Sequence, residues 1–310
     1  MRALIIDRFP ESFRVGLDSL PIDYTYLPHT NRAEVLSIIA DYEILIMNSK
    51  VRADQELADT ATKLGLVVRA GVGMDHIDIP YLESKGIAVH NTAGANADSV
   101  GEQTVGMLLA LRHSLMRANR QVKAFQWERE VNRGVEIKGK TVGIIGYGNT
   151  GQAVSNRLAG FGCRRLVYDK YVSGFGSNEV EEVQMEQIFA EADVLTLHIP
   201  LTAETQQLVN DEYLSRFAKP IMLLNLARGP IVDINALNRA LDSGKVIAAA
   251  LDVLPNEKLH TLSEAERTTY ETLFQRENVM LAPHIGGWSV ESLDNINQRI
   301  LGIVRAFIGT

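Results

Sequence analysis

Arg228, Glu257 and His284 are the residues of this 310-residue chain whose types and settings could do chemistry together. Each stands just past an apolar run. Arg228 follows Ile221–Leu224 in Asn225-Leu-Ala-Arg-Gly229. Glu257 lies five residues beyond Asp252, which ends the run Ile247–Leu251. His284 follows Val279–Ala282 in Pro283-His-Ile-Gly-Gly287. Open parallel sheets bind their ligands at the C-terminal ends of strands. A planar guanidinium can hold a carboxylate and polarise the carbonyl beside it. An imidazole titrating near neutrality can give or take the proton on that carbonyl oxygen. A carboxylate next to the imidazole fixes its tautomer and favours its charged form. Singly, each has a plainer reading, such as a structural histidine or a surface arginine. As a set they suit hydride transfer at C2 of a 2-oxo acid.

A hydride needs a carrier, and the segment Val142-Gly-Ile-Ile-Gly-Tyr-Gly-Asn-Thr-Gly151 places G-x-G-x-x-G directly after an apolar strand. A helix-forming stretch follows from Gln152 to Ala159. In that context Gly146 allows the tight turn, Gly148 lets backbone approach a pyrophosphate, and Gly151 lets helix and strand pack closely. The helix N-terminus adds free N–H groups and a positive dipole end. Asp169 ends the next predicted strand, eighteen residues after Gly151. That is the spacing of an acid accepting from ribose hydroxyls, and it would repel a 2′-phosphate. The expected cofactor is therefore NAD rather than NADP. His198 stands at a later strand end, where it is expected to help close the cofactor site together with Pro200.

These residues must be carried by alternating strands and helices. The first hundred residues offer strands at Ala3–Ile6, Glu43–Met47, Leu66–Arg69 and Ile87–His90, with helical periodicity around Arg32–Ile39 and Ile79–Lys85. Ser99-Val-Gly-Glu102 has capping-box spacing, and one long helix is expected behind it to about Val122. A second series follows at Thr141–Ile145, Arg165–Tyr168, Val194–His198, Ile221–Asn225, Ile247–Leu251 and Val279–Ala282, enough for a six-stranded dinucleotide-binding sheet. Ser289 to Ile308 is again helical and amphipathic. The expected fold class is α/β, with two doubly wound parallel-sheet lobes. A Rossmann domain over 98–285 is inserted into a flavodoxin-like substrate domain formed by 1–97 and 286–310.

Composition narrows the classes. With 46% hydrophobic and 22% charged residues the chain reads as globular. A net charge of −7 argues against nucleic acid as a partner. No apolar run approaches the length that spans a bilayer. The opening MRALIID reads as a strand rather than a signal peptide, and Cys163 alone can form no internal disulfide. A cytoplasmic location is expected. Asp75-His76-Ile77-Asp78 resembles a metal cluster in type, but its side chains are hard to converge on one face, and no metal is expected.

The motifs now in view resemble the D-isomer-specific 2-hydroxyacid dehydrogenases, most closely their phosphoglycerate dehydrogenase branch. The resemblance runs from Arg69-Ala-Gly-Val-Gly-Met-Asp-His-Ile-Asp78 through Gly86-Ile-Ala-Val-His-Asn-Thr-Ala-Gly94 and the glycine motif. It continues through Asn225-Leu-Ala-Arg-Gly-Pro-Ile-Val-Asp233 and Ala250-Leu-Asp-Val253 to Pro283-His-Ile-Gly-Gly287. It implies that Arg228 binds the substrate, that His284 is the acid/base and that Glu257 is its partner. Asp252 would sit near the nicotinamide. Thr104, Asn149, Thr150, Ile199, Leu226, Ala227, Gly286 and Gly287 would join the NAD site. Val72 and Gly73 would offer N–H groups to the substrate carboxylate. A homodimer built across the cofactor domains, with the helix after Ser99 in that role, is implied as well.

There are departures. Lys258 stands where the family commonly has proline, and a charged insert, expected to be helical, spans Ser263–Phe274. In Asn48-Ser-Lys-Val-Arg52 the branch often has arginine; Lys50 and Arg52 are the candidates for holding a phosphate. The expected substrate pair is 3-phosphoglycerate and 3-phosphohydroxypyruvate. Alternatives are hydroxypyruvate or glyoxylate reduction and D-lactate-type oxidation. A non-enzymatic alternative is an NAD-sensing interaction protein of the same fold. A chain ending soon after His284 is not expected to carry the C-terminal regulatory domains of longer phosphoglycerate dehydrogenases.

Overall fold

The computed structural model describes residues 1–309. The chain divides into two compact units, Met1–Asn96 with the chain from Val290 on, and Ala97–Ser289.

In the first unit, strands β1 (Arg2–Ile5), β2 (Asp23–Tyr26), β3 (Ile44–Met47), β4 (Leu66–Arg69) and β5 (Ala88–Asn91) form one parallel sheet in the order β2-β1-β3-β4-β5. Helices α1 (Glu11–Asp18), α2 (Arg32–Ile38), α3 (Gln55–Thr60) and α4 (Ile79–Ser84) connect them. A parallel sheet is covered on both faces, which is why β3 is buried at every position. Alternate residues serve opposite cores. Leu45, Met47 and Val67 pack with Val35, Ile39 and Leu82. Ile44, Ile46 and Val68 pack with Phe13, Leu17 and the C-terminal helix Val290–Ile308 through Ile296, Ile300, Leu301 and Val304. Apolar periodicity shows the central strands. It passes over the edge strand β2, whose residues are only partly covered, and over α1 and α3.

The second unit begins with two helices rather than the single long one expected. α5 (Ala97–Arg112) and α6 (Leu115–Lys123) are separated by Ser114, which is left-handed at φ 51°. Apolar spacing continues across the break, because periodicity reports side-chain faces and not backbone direction. The expected capping box is also absent. α5 starts at Ala97, so Ser99 lies within its first turn and its hydroxyl donates to the Gly286 carbonyl, while Glu102 reaches Arg157.

Seven parallel strands follow: β6 (Thr141–Ile145), β7 (Arg164–Tyr168), β8 (Glu181–Glu182), β9 (Val194–Leu197), β10 (Ile221–Asn225), β11 (Val246–Leu251) and β12 (Val279–Leu281). Their order is β12-β11-β10-β9-β6-β7-β8. This is a doubly wound sheet whose order reverses at β6. Six strands were expected. The seventh, β8, is a two-residue acidic edge strand that no hydrophobic pattern announces. The connections carry α7 (Asn149–Leu158), α8 (Met185–Glu191), α9 (Asp211–Ser215), α10 (Ile234–Asp242) and α11 (Glu264–Phe274). The insert predicted as helical is α11, opened by a Ser263–Glu266 capping box.

Candidate active site

The glycine loop leaves β6 and enters α7. Gly146 has φ +92°, and a Cβ there would lie 2.5 Å from the His198 carbonyl oxygen. A Cβ on Gly151 would lie 2.0 Å from the Gly146 oxygen. Gly148 differs: its Cβ position faces open space, and as N-cap of α7 it offers no side chain to the first-turn N–H groups. Those N–H groups, on Asn149 and Thr150 among others, are free for phosphate oxygens. Asp169 ties the loop down, accepting from Tyr147 N at 2.7 Å, Tyr171 N at 2.9 Å and Val172 N at 3.0 Å. Burial alone would raise its pKa, but these three donors outweigh it and hold the carboxyl below the usual range.

A cavity of about 500 Å³ opens beside this carboxylate, lined by Gly146, Gly148, Asp169, His198, Ile199 and Pro200 with Tyr168, Lys170 and Tyr171. Six of the residues expected at the cofactor therefore share one cavity. His198 is buried; Thr196 Oγ1 lies 2.9 Å from its Nε2, and its Nδ1 has no partner among the described residues. Burial pushes its pKa down to about 3, so the ring is neutral at physiological pH. The open face of Gly148 and the uncapped helix end fit a dinucleotide pyrophosphate, and the acid at the end of β7 fits its ribose.

Thr104, Leu226, Ala227, Asp252, Gly286 and Gly287 do not line that cavity. Thr104 is buried, and its hydroxyl is committed to Val100 O at 2.7 Å. Asp252 is buried at the end of β11, and its oxygens face the next loop. Oδ1 accepts from Ile285 N at 2.9 Å and from Gln103 Nε2 at 2.9 Å, and Oδ2 from Gly286 N at 2.7 Å. Burial raises its pKa against the pull of these donors.

Arg228, Glu257 and His284 leave the C-terminal ends of three adjacent strands, β10, β11 and β12. Buried Asn225 shapes the first loop: its Oδ1 accepts from Ala227 N at 3.0 Å, and its Nδ2 donates to Arg228 O at 2.9 Å. The guanidinium donates through Nη1 to Ala227 O at 2.7 Å. Gly229 then passes so close to Leu254 that a Cβ would lie 2.0 Å from its carbonyl carbon. The arginine loop and the loop leading to Glu257 are thus in backbone contact. His284 Nδ1 lies 2.9 Å and 3.0 Å from the two Glu257 oxygens. A carboxylate only accepts, so Nδ1 carries the proton and Nε2 is left for a ligand. Both side chains are 46% exposed, and a ligand can reach them.

In the first unit, Gly71 (φ +144°) starts the loop after β4, and Asn91 Nδ2 donates to Val72 O at 2.8 Å. Among the described residues the N–H groups of Val72 and Gly73 meet no acceptor, as an anion-binding turn requires. Lys50 is not comparably free. Its ammonium donates to Ile6 O and Pro28 O and lies 3.9 Å from Asp7. His76 Nε2 bonds Asn48 O, and Asp78 caps α4, so the acidic turn is occupied by local structure. Sequence reasoning missed Asn225, Gln103 and the Ser99–Gly286 bond. Asparagine ending an apolar strand was the one visible signal among them.

The sequence signature described as "D-isomer specific 2-hydroxyacid dehydrogenase, NAD binding domain" matches residues 105–286. The chain is 35% identical to the hydroxypyruvate reductase of Thermotoga maritima, over 89% of this chain and 86% of that protein. It is 32% identical to the D-3-phosphoglycerate dehydrogenase of Mycobacterium leprae, over 97% of this chain but 56% of that protein, so it spans about half that relative's length. Among solved structures, the D-lactate dehydrogenase of Aquifex aeolicus complexed with NAD and lactic acid superposes with a TM-score of 0.88 at 27% identity, covering 99% of this chain and 95% of that one. With its cofactor motif, its doubly wound units and these relatives, the chain belongs to the D-isomer-specific 2-hydroxyacid dehydrogenases, NAD-dependent oxidoreductases acting on CH–OH.

Proposed function

We propose that this protein reversibly reduces a small 2-oxo acid to the D-2-hydroxy acid, with His284 as acid/base, Glu257 as its partner and Arg228 as the carboxylate-binding group. The observation that carries this reading is the accessible His284–Glu257 pair beside the arginine loop. When bound, NAD(H) supplies or accepts the hydride. In reduction, Arg228 holds the substrate carboxylate and draws electron density from C2, and His284 Nε2 delivers the proton to the carbonyl oxygen. Glu257 balances the imidazolium and holds the ring. Within the first unit, the N–H groups of Val72 and Gly73 are of the kind that take up an anion.

For the substrate itself we put an unphosphorylated acid of the hydroxypyruvate or glyoxylate class first, because Lys50 is already engaged by two carbonyls and Asp7. The second reading is 3-phosphohydroxypyruvate, favoured by exposed Arg52 in the same loop and by the phosphoglycerate dehydrogenase relatives. Steady-state rates with NADH and glyoxylate, hydroxypyruvate, pyruvate and 3-phosphohydroxypyruvate separate them. A higher kcat/KM for 3-phosphohydroxypyruvate, lost in Arg52→Ala, reverses the order. No turnover of any of the four refutes the proposal.

A homodimer in a cytoplasmic setting completes the reading. Leu115, Met116, Val122, Phe125 and Trp127 are all more than half exposed on and just after α6, an apolar stretch that a second copy would cover.

A further inference from the structure

We propose that Ser99 and Gln103 of α5 are positioning residues that hold His284 in its working conformation through the buried Asp252 carboxylate. This rests on reading His284 as the acid/base. His284 has φ +56°, in the left-handed region that side chains avoid. A residue stays there only when its surroundings over-determine it. Here they do. His284 N donates to Asp252 O at 2.7 Å, Ile285 N to Asp252 Oδ1 at 2.9 Å and Gly286 N to Asp252 Oδ2 at 2.7 Å.

Asp252 is held in turn by Gln103 Nε2 at 2.9 Å, and Ser99 Oγ donates to Gly286 O at 2.7 Å. Ser99 and Gln103 are four residues apart and so share one helix face. One side of α5 thereby grips both the carboxylate and the loop that it threads. Gly286 belongs to the same fit: a Cβ there would lie 2.9 Å from Asp252 Oδ2. Without Gln103, Asp252 loses its only side-chain donor among the described residues, and the histidine loop is free to relax from its left-handed turn.

Gln103→Leu removes the amide and keeps bulk. We expect kcat to fall by about 10- to 100-fold across the pH range, as displaced catalytic groups cost, with NADH affinity within about twofold of wild type. Gln103→Glu sets a second carboxylate against Asp252. The two must share a proton to keep the bond. Its activity should therefore approach wild type near pH 5 and fall away as pH rises, a signature that packing alone does not produce. Ser99→Ala should lower kcat, and Ser99→Thr, which keeps the hydroxyl, should restore it. Wild-type kcat and pH profile in Gln103→Leu would overturn the proposal, as would Gln103→Glu tracking Gln103→Leu at every pH. If Gln103→Leu does not fold, the Ser99 pair decides in the same terms. Should the wild type turn over no 2-oxo acid, the parent reading fails. The ring ¹⁵N signals of His284 then decide the brace: sharp in wild type and broadened in Gln103→Leu supports it, and unchanged signals reject it.

Discussion

A half-exposed imidazole whose Nδ1 is held by a carboxylate presents Nε2 to a ligand. We expect His284→Ala to lose about 10²–10⁴-fold in kcat, the usual worth of a positioned acid/base, with NADH binding, read by fluorescence titration, nearly unchanged. Glu257→Gln should act through orientation. Both carboxylate oxygens now lie within hydrogen-bond distance of Nδ1, and an amide leaves a single acceptor there. The ring should be held less firmly and kcat should fall, though by less than in His284→Ala; wild-type kcat takes Glu257 out of the pair. Asp169 lines the cavity beside the glycine loop, where we propose that the cofactor ribose binds, and it also ties Tyr147 N. Asp169→Ala should therefore raise KM for NADH and narrow the preference for NADH over NADPH, measured as a ratio of kcat/KM. Equal use of both cofactors by the wild type would refute this. His198 gives a stability signature. Its pKa is about 3 when folded, against an ordinary 6.5. The unfolded chain takes up a proton below pH 6.5 that the folded chain refuses, so this contribution is complete above 6.5 and is lost as pH falls towards 3. His198→Gln should flatten the dependence of unfolding free energy on pH in that window by up to about 1.4 kcal/mol per pH unit, read from urea midpoints at pH 7 to 4.

Between elements, the close approach of Gly229 to Leu254 matters most. Two loops leaving neighbouring strands pass at backbone contact, one carrying Arg228 and the other Glu257. A methyl group at Gly229 has nowhere to go, because the atoms it meets are backbone. Gly229→Ala should cost about 1–3 kcal/mol of stability as overpacking does, and should lower kcat beyond what any loss of folded protein explains. A variant with wild-type melting temperature and kcat would show that the loops yield. The same scale explains the misread start of the second unit. Ser99 and Glu102 have the spacing of a reciprocal cap, but helix α5 begins earlier and spends both side chains elsewhere.

For the whole molecule the testable statement concerns assembly. α6 buries none of its residues within the described chain, and beyond it Phe125 is fully exposed and Trp127 largely so. Sedimentation should give a dimer mass, and Phe125→Glu with Trp127→Glu should give a monomer that still melts cooperatively. A wild-type monomer at micromolar concentration would refute the dimer. Among the described residues no helix is long and apolar enough to cross a membrane.

The parallel strands were legible in the sequence, because a strand buried on both faces must be written as a continuous apolar run, as β3, β6 and β10 are. The cofactor loop was legible because tight turns and close backbone approach admit only glycine, at Gly146 and Gly151. The residues Arg228, Glu257 and His284 could be named from type and from their places after strands. Their pairing came only through the family resemblance, since 27 positions separate Glu257 from His284 and only the sheet order makes their loops neighbours. Edge strands β2 and β8 were hidden because a half-solvated edge needs no apolar code. The left-handed backbone of Ser114 and His284 was hidden because no local preference announces it; tertiary contacts impose it. Tertiary structure alone decided which partners the polar side chains meet. Lys50 is turned to two carbonyls, Asp252 to the histidine loop and Gln103 to Asp252, because a polar group that the fold draws away from water must find a partner there.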